Sequence, residues 1–244
     1  MNVVVCVKQV PDTAVERTLR QEDGTLDRLS PDGLINELDE YAIEEALRIT
    51  EAHGGEVTIV SMGAHKAVHL VDDALAGSDA LGTSLALSAV LKQTGFDLVL
   101  CGSEATDART GVLPAMLAER LGVAQLTLAA KVDIDGTAVT IRRVSGDGYE
   151  VVTATLPAVV SMVEKSNEPR YPTFKGIMAA KKKPVTTLTL ADLSLSADSA
   201  GLAGAATAVA DWAARPPRAA GVIVKDEGDG GSHAAGFLAE QKFI

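Results

Sequence analysis

Short apolar runs bounded by glycine, proline or charge alternate along this chain with stretches of helical periodicity. The first run, residues 2–7, is valine-rich and reads as a strand buried on both faces. Turn chemistry at 8–13 ends it, and a polar excursion over 16–31 reads as a loop or hairpin. Residues 33–39 lead into a helix over 40–52, with Ala42, Ile43, Ala46, Leu47 and Ile49 on one side and Gly54-Gly55 as its stop. A second strand covers 56–61, a helix 83–93 and a further buried strand 97–101. After a polar turn at 102–111, residues 114–121 read as a helix with Pro114 in its first turn and Gly122 at its end. Residues 126–132 and 138–144 alternate, and turn signals at 132–137 and 146–148 make antiparallel ribbons of this region. Residues 158–163 return to the sheet.

One step breaks the pattern. Residues 66–71 read as a third strand, yet only Met62-Gly63-Ala64-His65 separates it from the second. Parallel neighbours ordinarily need a crossover of roughly a dozen residues, usually a helix. The spacing therefore predicts an internal deletion, with this strand either antiparallel at the sheet edge or not formed. The whole alternation predicts an α/β fold: a mostly parallel, Rossmann-like sheet with helices on both faces and antiparallel hairpins at one end. After Pro184, a short strand over 185–190 is followed by Ala/Ser/Gly-rich sequence to 210 with little core signal. Residues 216–222 read as extended, and Ser232 is placed to cap a last helix over 233–242. The expected division is an α/β domain over 1–184 and an extended C-terminal arm over 185–244.

Composition narrows the function. The 244 residues are 47% hydrophobic but only 3% aromatic, which suits alanine-rich helices packed closely on a sheet. A formal net charge of −11 argues against a general nucleic-acid or membrane-surface binder. Cys6 and Cys101 both fall in apolar runs and read as buried thiols of a cytoplasmic protein, not a disulfide pair. The four histidines show no metal-ligand spacing with them. No signal peptide or membrane-spanning run is expected. No nucleophile–base pair stands out, so no catalytic residues are expected.

In an open parallel sheet, ligands bind at the carboxyl ends of the strands. Four segments fall there: 6–9, 36–39, 61–64 and 102–112. The last carries Gly102, Ser103, Glu104, Ala105, Thr106, Asp107, Ala108, Arg109, Thr110, Gly111 and Val112 just before a helix, where backbone N–H groups can hold a phosphate. It is neither a P-loop nor a G-x-G-x-x-G, and by itself an ordinary polar loop explains it as well.

The stretch around which the chain is organised follows the last core strand: Asn167-Glu168-Pro169-Arg170-Tyr171-Pro172-Thr173-Phe174-Lys175-Gly176-Ile177-Met178, then Lys181-Lys182-Lys183-Pro184. Three prolines and a glycine exclude one continuous helix and predict a stiff loop. Exposed aromatics ringed by charge mark a partner-docking feature; folding back on the core is the alternative. This run resembles the electron-transfer flavoprotein beta subunit, in which an N-E-P-R-Y/F segment leads into a docking loop that ends in a lysine cluster. Residues 141–161, from Ile141-Arg142-Arg143 to Pro157-Ala158-Val159-Val160-Ser161, resemble the same family's signature, with Gly146 where an acidic residue is usual and Val144 where some members have glutamate. Family members normally have a helix before the third strand, where this chain has none.

The resemblance implies a subunit that pairs with an alpha subunit, whose FAD takes electrons from acyl-CoA and related dehydrogenases in fatty acid oxidation and passes them to a quinone reductase or other acceptor. It is implied to be an electron carrier and not an enzyme, with no nucleic acid and no membrane insertion. It implies a structural AMP held by Cys6, Asn36, Glu37, Leu38, Asp39, Met62 and the 102–112 loop. Family loops often read D-x-D-x-x-Q-T/V-G from the position of Asp107; here Arg109, Val112 and Pro114 replace the second Asp, the Gln and the Gly. Backbone contacts and the Arg109 charge are then expected to do the holding. Partner docking is implied for Arg170, Tyr171, Phe174, Ile177 and Met178, within 167–183, and the arm is implied to lie on the alpha subunit. Two other readings stay open: an electron-bifurcating subunit with an FAD of its own, and an ATP-binding α/β enzyme using Lys8, Asp39 and Asp107.

Overall fold

The valine-rich run at the amino terminus lies in the middle of the sheet. The computed structural model describes residues 1–27, 33–62, 68–213, 216, 217, 221 and 223–244. Strand β1 (Asn2–Val7) pairs in parallel with β4 (Glu56–Met62) on one side and with β6 (Leu98–Gly102) on the other. Between β1 and β4 come β2 (Gln9–Pro11), β3 (Gly33–Ile35) and helix α1 (Glu37–His53). Strands β2 and β3 form a separate antiparallel ribbon at the base of the polar excursion, of which residues 28–31 lie outside the described residues. Strand β5 (Val68–Leu70) and helix α2 (Ala80–Thr94) precede β6, and helix α3 (Leu113–Leu121) follows it. Then come β7 (Ala124–Asp135), β8 (Ala138–Ser145), β9 (Gly148–Thr155) and β10 (Ala158–Met162). Helix α4 (Phe174–Ala180) and strand β11 (Thr186–Leu188) complete this region. Nine strands among the described residues form one sheet, ordered β11-β5-β4-β1-β6-β10-β7-β8-β9.

Alternation along the strands divides the core in two. Val4, Cys6, Val60 and Val99 face α2 and α3, meeting Leu87, Val90, Leu91 and Leu117. Val3, Val5, Leu98, Leu100 and Val160 face the other way, onto Ala42, Ala46 and Ile49 of α1 and onto Ile141 of the ribbon. Helices thus cover both faces, as expected. The helix ends follow local chemistry. Asp79 caps α2 by accepting from the Gly82 N–H at 2.9 Å, and α3 stops at Gly122, whose φ of 67° is left-handed.

Strand β7 changes partners along its length. Its first part runs parallel to β10, and its second part runs antiparallel to β8. The register shifts where Leu128 takes a φ of 61°, and the Leu128 N–H donates to Ser161 Oγ at 2.9 Å. Such a bulge lets one strand serve two ladders of different sense.

The third strand departs from expectation. Val68–Leu70 pairs in parallel with β4, with Val60, Ser61 and Met62 opposite Val68, His69 and Leu70. The antiparallel or unformed strand is therefore corrected. Only three residues pair, at the far end of β4, so the return path is short. Residues 63–67 lie outside the described residues, but six Cα steps reach about 20 Å, ample to pass to an adjacent strand end without a helix. The expected strand residues Lys66 and Ala67, and the turn residues Gly63 to His65, fall in that segment.

The chain divides into two compact units, 1–210 and 211–244. In the first, β11 pairs in parallel with β5, Leu188 and Leu190 are buried, and Asp79 Oδ2 accepts from the Ala206 N–H at 2.9 Å. The second holds helix α5 (Gly230–Glu240), which starts ahead of Ser232; no side chain caps it. Phe237, Leu238, Phe243 and Ile244 are exposed. Among the described residues, no helix is long and apolar enough to cross a membrane.

Leu70 tests the edge of the sheet. Its side chain is fully buried, so Leu70→Ala is expected to cost about 2–5 kcal/mol in urea unfolding. A near-neutral change would mean that β5 does not join the sheet.

Candidate functional site

Strand order reverses beside β1. The chain passes from β1 to β4 and β5 on one side, then returns through α2 to β6 on the other. The carboxyl ends of β1 and β6 therefore flank a crevice at a topological switch point. Helix α1 enters over it. Gly102, at the end of β6, admits this approach because a Cβ there would lie 2.5 Å from Asp39 Oδ1 and 2.9 Å from the Leu38 carbonyl carbon.

Asp39 holds the crevice together. Its Oδ2 accepts from the Lys8 N–H at 2.8 Å, and its Oδ1 accepts from the Gly102 N–H at 3.2 Å and from Asn36 Nδ2 at 3.0 Å. Asn36 extends the network. Its Nδ2 donates to the Glu104 carbonyl at 2.9 Å, and its Oδ1 accepts from the Thr106 N–H at 3.0 Å. Lys8 Nζ meets Asp107 Oδ1 at 2.7 Å, and the Ser103 N–H donates to the Met162 carbonyl at 2.9 Å. Burial pushes the Asp39 carboxyl up to about 6, against the pull of the bonds from Asn36, Lys8 and Gly102.

The loop has two halves. Gly102, Ser103 and Thr106 are buried and tied down, whereas Ala108, Arg109, Thr110, Gly111 and Val112 are exposed. Arg109 and Gly111 take left-handed φ values of 51° and 63°, and Arg109 lies 3.8 Å from Glu104. No side chain caps the start of α3 that follows. Thr106 Oγ1 is buried and has no hydrogen-bond partner among the described residues. An uncapped helix start and an unsatisfied hydroxyl on one loop are the donor set that a phosphate ester needs.

The structure thus brings together Asn36, Asp39, Gly102, Ser103, Glu104, Thr106 and Asp107. Other expected residues lie differently. The Cys6 side chain packs in the core facing α2 and α3, opposite Cys101 on the next strand. The Cys101 thiol is held well above its ordinary range by its hydrogen bond with Cys6 and by burial. Both cysteines are free. Met62 packs against the same core, and Glu37 is exposed. Residues 63 and 64 lie outside the described set. Lys8, in the expected 6–9 segment, reaches the loop through its ion pair with Asp107.

The second candidate surface follows β10. The expected stiff loop contains the two-turn helix α4, which fits between Pro172 and Pro184. Thr173 caps it by accepting from the Gly176 N–H at 3.1 Å. No residue of α4 is buried; Tyr171 is 95% and Phe174 80% exposed, with Ile177 and Met178 about half exposed. The aromatics do not fold back on the core. Arg170 lies instead against α1, with its Nε 2.8 Å from Glu44 Oε2 and its Nη2 3.0 Å from Glu51 Oε2. The Arg170 guanidinium holds the Glu44 and Glu51 carboxyls below the usual glutamate range.

Asp39 yields a pH test. Its carboxyl titrates near 6 in the fold against 3.8 ordinarily, so the folded state binds the proton more tightly than the unfolded chain. Stability from this group is then highest at low pH and declines as pH rises through that window. Asp39→Asn removes an acceptor from the Lys8 N–H and is expected to cost about 1–3 kcal/mol at pH 7. Between pH 7 and pH 5 that penalty should grow by about 1 kcal/mol, because only the parent chain titrates. Urea unfolding of both at the two pH values checks it; a constant difference would contradict the burial argument.

Comparison with known proteins identifies the family. Residues 23–193 match the electron transfer flavoprotein domain family. The chain is 46% identical to an electron transfer flavoprotein subunit beta of Mycobacterium bovis, covering 100% of this chain and 99% of that protein. It is 35% identical to the subunit of the same name from Clostridium acetobutylicum, covering all of both chains. It is also 32% identical, over 92% of each, to an acryloyl-CoA reductase electron transfer subunit gamma of Anaerotignum propionicum. The chain belongs to the electron-transfer flavoprotein family, as a member of its beta-subunit branch.

Proposed function

We propose that this chain is the beta half of a heterodimeric electron carrier. It pairs with an alpha subunit that holds most of an FAD, accepts electrons from acyl-CoA and related dehydrogenases, and passes them to a quinone reductase or another acceptor. The observation that carries this reading is the coexistence, on one family fold, of a polar crevice at the switch point and an exposed apolar helix outside it.

The crevice fits an adenine nucleotide. Asn36 and Asp39 fix the entry of α1, and they also fix the 102–106 half of the loop. Thr106 Oγ1, the exposed backbone near Gly111 and the start of α3 are the groups that would receive phosphate, with Arg109 adding positive charge. AMP is the proposed occupant, and its role is structural. The FAD supplies the redox chemistry when bound; this chain's residues shape one wall of its site and set the local electrostatics. The chain is proposed to act as a carrier subunit and not as an enzyme, the redox chemistry belonging to the flavin.

Tyr171, Phe174, Ile177 and Met178 form the proposed docking face, with Lys181, Lys182 and Lys183 beside it. Residues 185–244, with exposed apolar side chains such as Phe237 and Phe243, are the proposed arm on the alpha subunit. The Mycobacterium bovis relative aligns over 264 positions against 244 residues here, a difference of 20. This supports the reading that a crossover helix before β5 has been lost.

Two measurements on the co-expressed heterodimer test the proposal. Quantitation should give one FAD and one AMP per dimer; two FAD would indicate the bifurcating alternative, and no flavin would defeat the reading. Phe174→Ala is expected to lower kcat/KM for reduction by an acyl-CoA dehydrogenase by about tenfold or more with flavin content unchanged. Unchanged kinetics would remove α4 from the docking surface.

A further inference from the structure

Helix α4 sinks no side chain into the core. None of its residues is buried, and three residues separate it from the last side chain anchored before it, Arg170. A docking surface works only if its position is defined before the partner arrives, because ordering it on contact weakens binding. Its placement must therefore come from the segment that leads into it.

That segment is fastened to the outer face of α1. Asn167 Nδ2 donates to the Tyr41 carbonyl and to Glu45 Oε2, each at 3.0 Å. Arg170 then grips two carboxylates about two turns apart, Glu44 beside Glu45 and Glu51 further along. Its Nε and Nη2 reach Glu44 Oε2 and Oε1 at 2.8 and 3.0 Å, and its Nη1 and Nη2 reach the two oxygens of Glu51. Its own backbone N–H also donates to Glu44, at 3.3 Å. Glu44 is 4% exposed and takes a further bond from Arg48 Nε at 3.0 Å, so this carboxylate is itself fixed. Two fork-to-carboxylate pairs define the plane and direction of the guanidinium, which a lysine ammonium does not. Most of its N–H donors are thereby committed within the chain and not presented to a dehydrogenase.

We infer that Arg170 is a positioning residue, which sets the docking helix α4 on α1 through Glu44 and Glu51 and does not contact the dehydrogenase. The inference rests on the docking role proposed for α4. Because α1 also carries Asn36 and Asp39 at its amino end, one helix gives both the crevice and the docking surface their reference frame.

The test uses the heterodimer with nitroxide labels at His53→Cys, at the carboxyl end of α1, and Lys175→Cys, on α4. The parent should give a narrow distance distribution. Arg170→Gln should broaden it at least twofold and raise KM for the dehydrogenase reaction about tenfold, with kcat within about twofold and flavin content unchanged. Arg170→Lys should fall between. Glu51→Gln, at a half-exposed position where the helix does not depend on the charge, should reproduce part of both effects without touching the docking segment. If Arg170→Gln raises KM while the distribution stays narrow and Glu51→Gln is silent, Arg170 is a direct contact and the inference falls. If the distribution broadens while KM does not move, the clamp stands and the docking role of α4 falls instead.

Discussion

A single buried carboxylate joins three separately folded pieces of this protein. Asp39 accepts from the backbone just past β1, from the backbone at the end of β6 and from the side chain that precedes α1. Water cannot replace these partners, because Asp39 is almost fully buried. The burial that makes the charge costly also makes each of its bonds strong and directional. Without it, Gly102 would lose its tie to the helix, and the first half of the 102–112 loop would be left with its link through Asn36.

Helix α1 turns this local constraint into a long-range one. Its inner face is apolar and packs on the sheet, as Ala42, Ala46 and Ile49 show. Its outer face carries Glu44 and Glu45, which are buried because Asn167 and Arg170 lie over them. A helix with one greasy face and one charged, covered face does not rotate or slide without breaking contacts on both sides. The crevice beside β1 and the exposed helix α4 are in this way both referred to one helix, although they share no residue.

Much of this was legible in the chain itself, for identifiable reasons. Apolar runs such as 2–7 and 98–101 have one stable home, a strand covered on both faces, and Gly54 and Gly122 end helices where left-handed or otherwise unusual backbone is needed. The ribbons at 135–138 and 145–148 follow from two-residue turns containing glycine. Other features depended on distant partners and had no local signature. Glu44 and Glu45 are buried only because the segment around Arg170 lies over them. Ile43 and Leu47, expected on the core side, are only partly buried. The sense of β5 was misread because a crossover rule for full-length strands was applied to a three-residue pairing at a strand end. At the site, the loop was found by its position after β6, whereas the Asn36 to Thr106 link and the Lys8 to Asp107 pair join residues too far apart in sequence to be paired by inspection.

The order of strands also governs how the sheet is assembled. Strands β7, β8 and β9 zip together as neighbours in sequence, and β1, β4 and β6 form a second group. Among the described residues, the ladder between the two groups is completed by β10, which lies between β6 and β7 although it is made after both. During synthesis the sheet therefore remains two half-sheets, each with an unfilled edge, until Met162 has emerged. Strand β10 acts as a keystone delivered late, and the nascent chain is most exposed to mispairing just before it arrives.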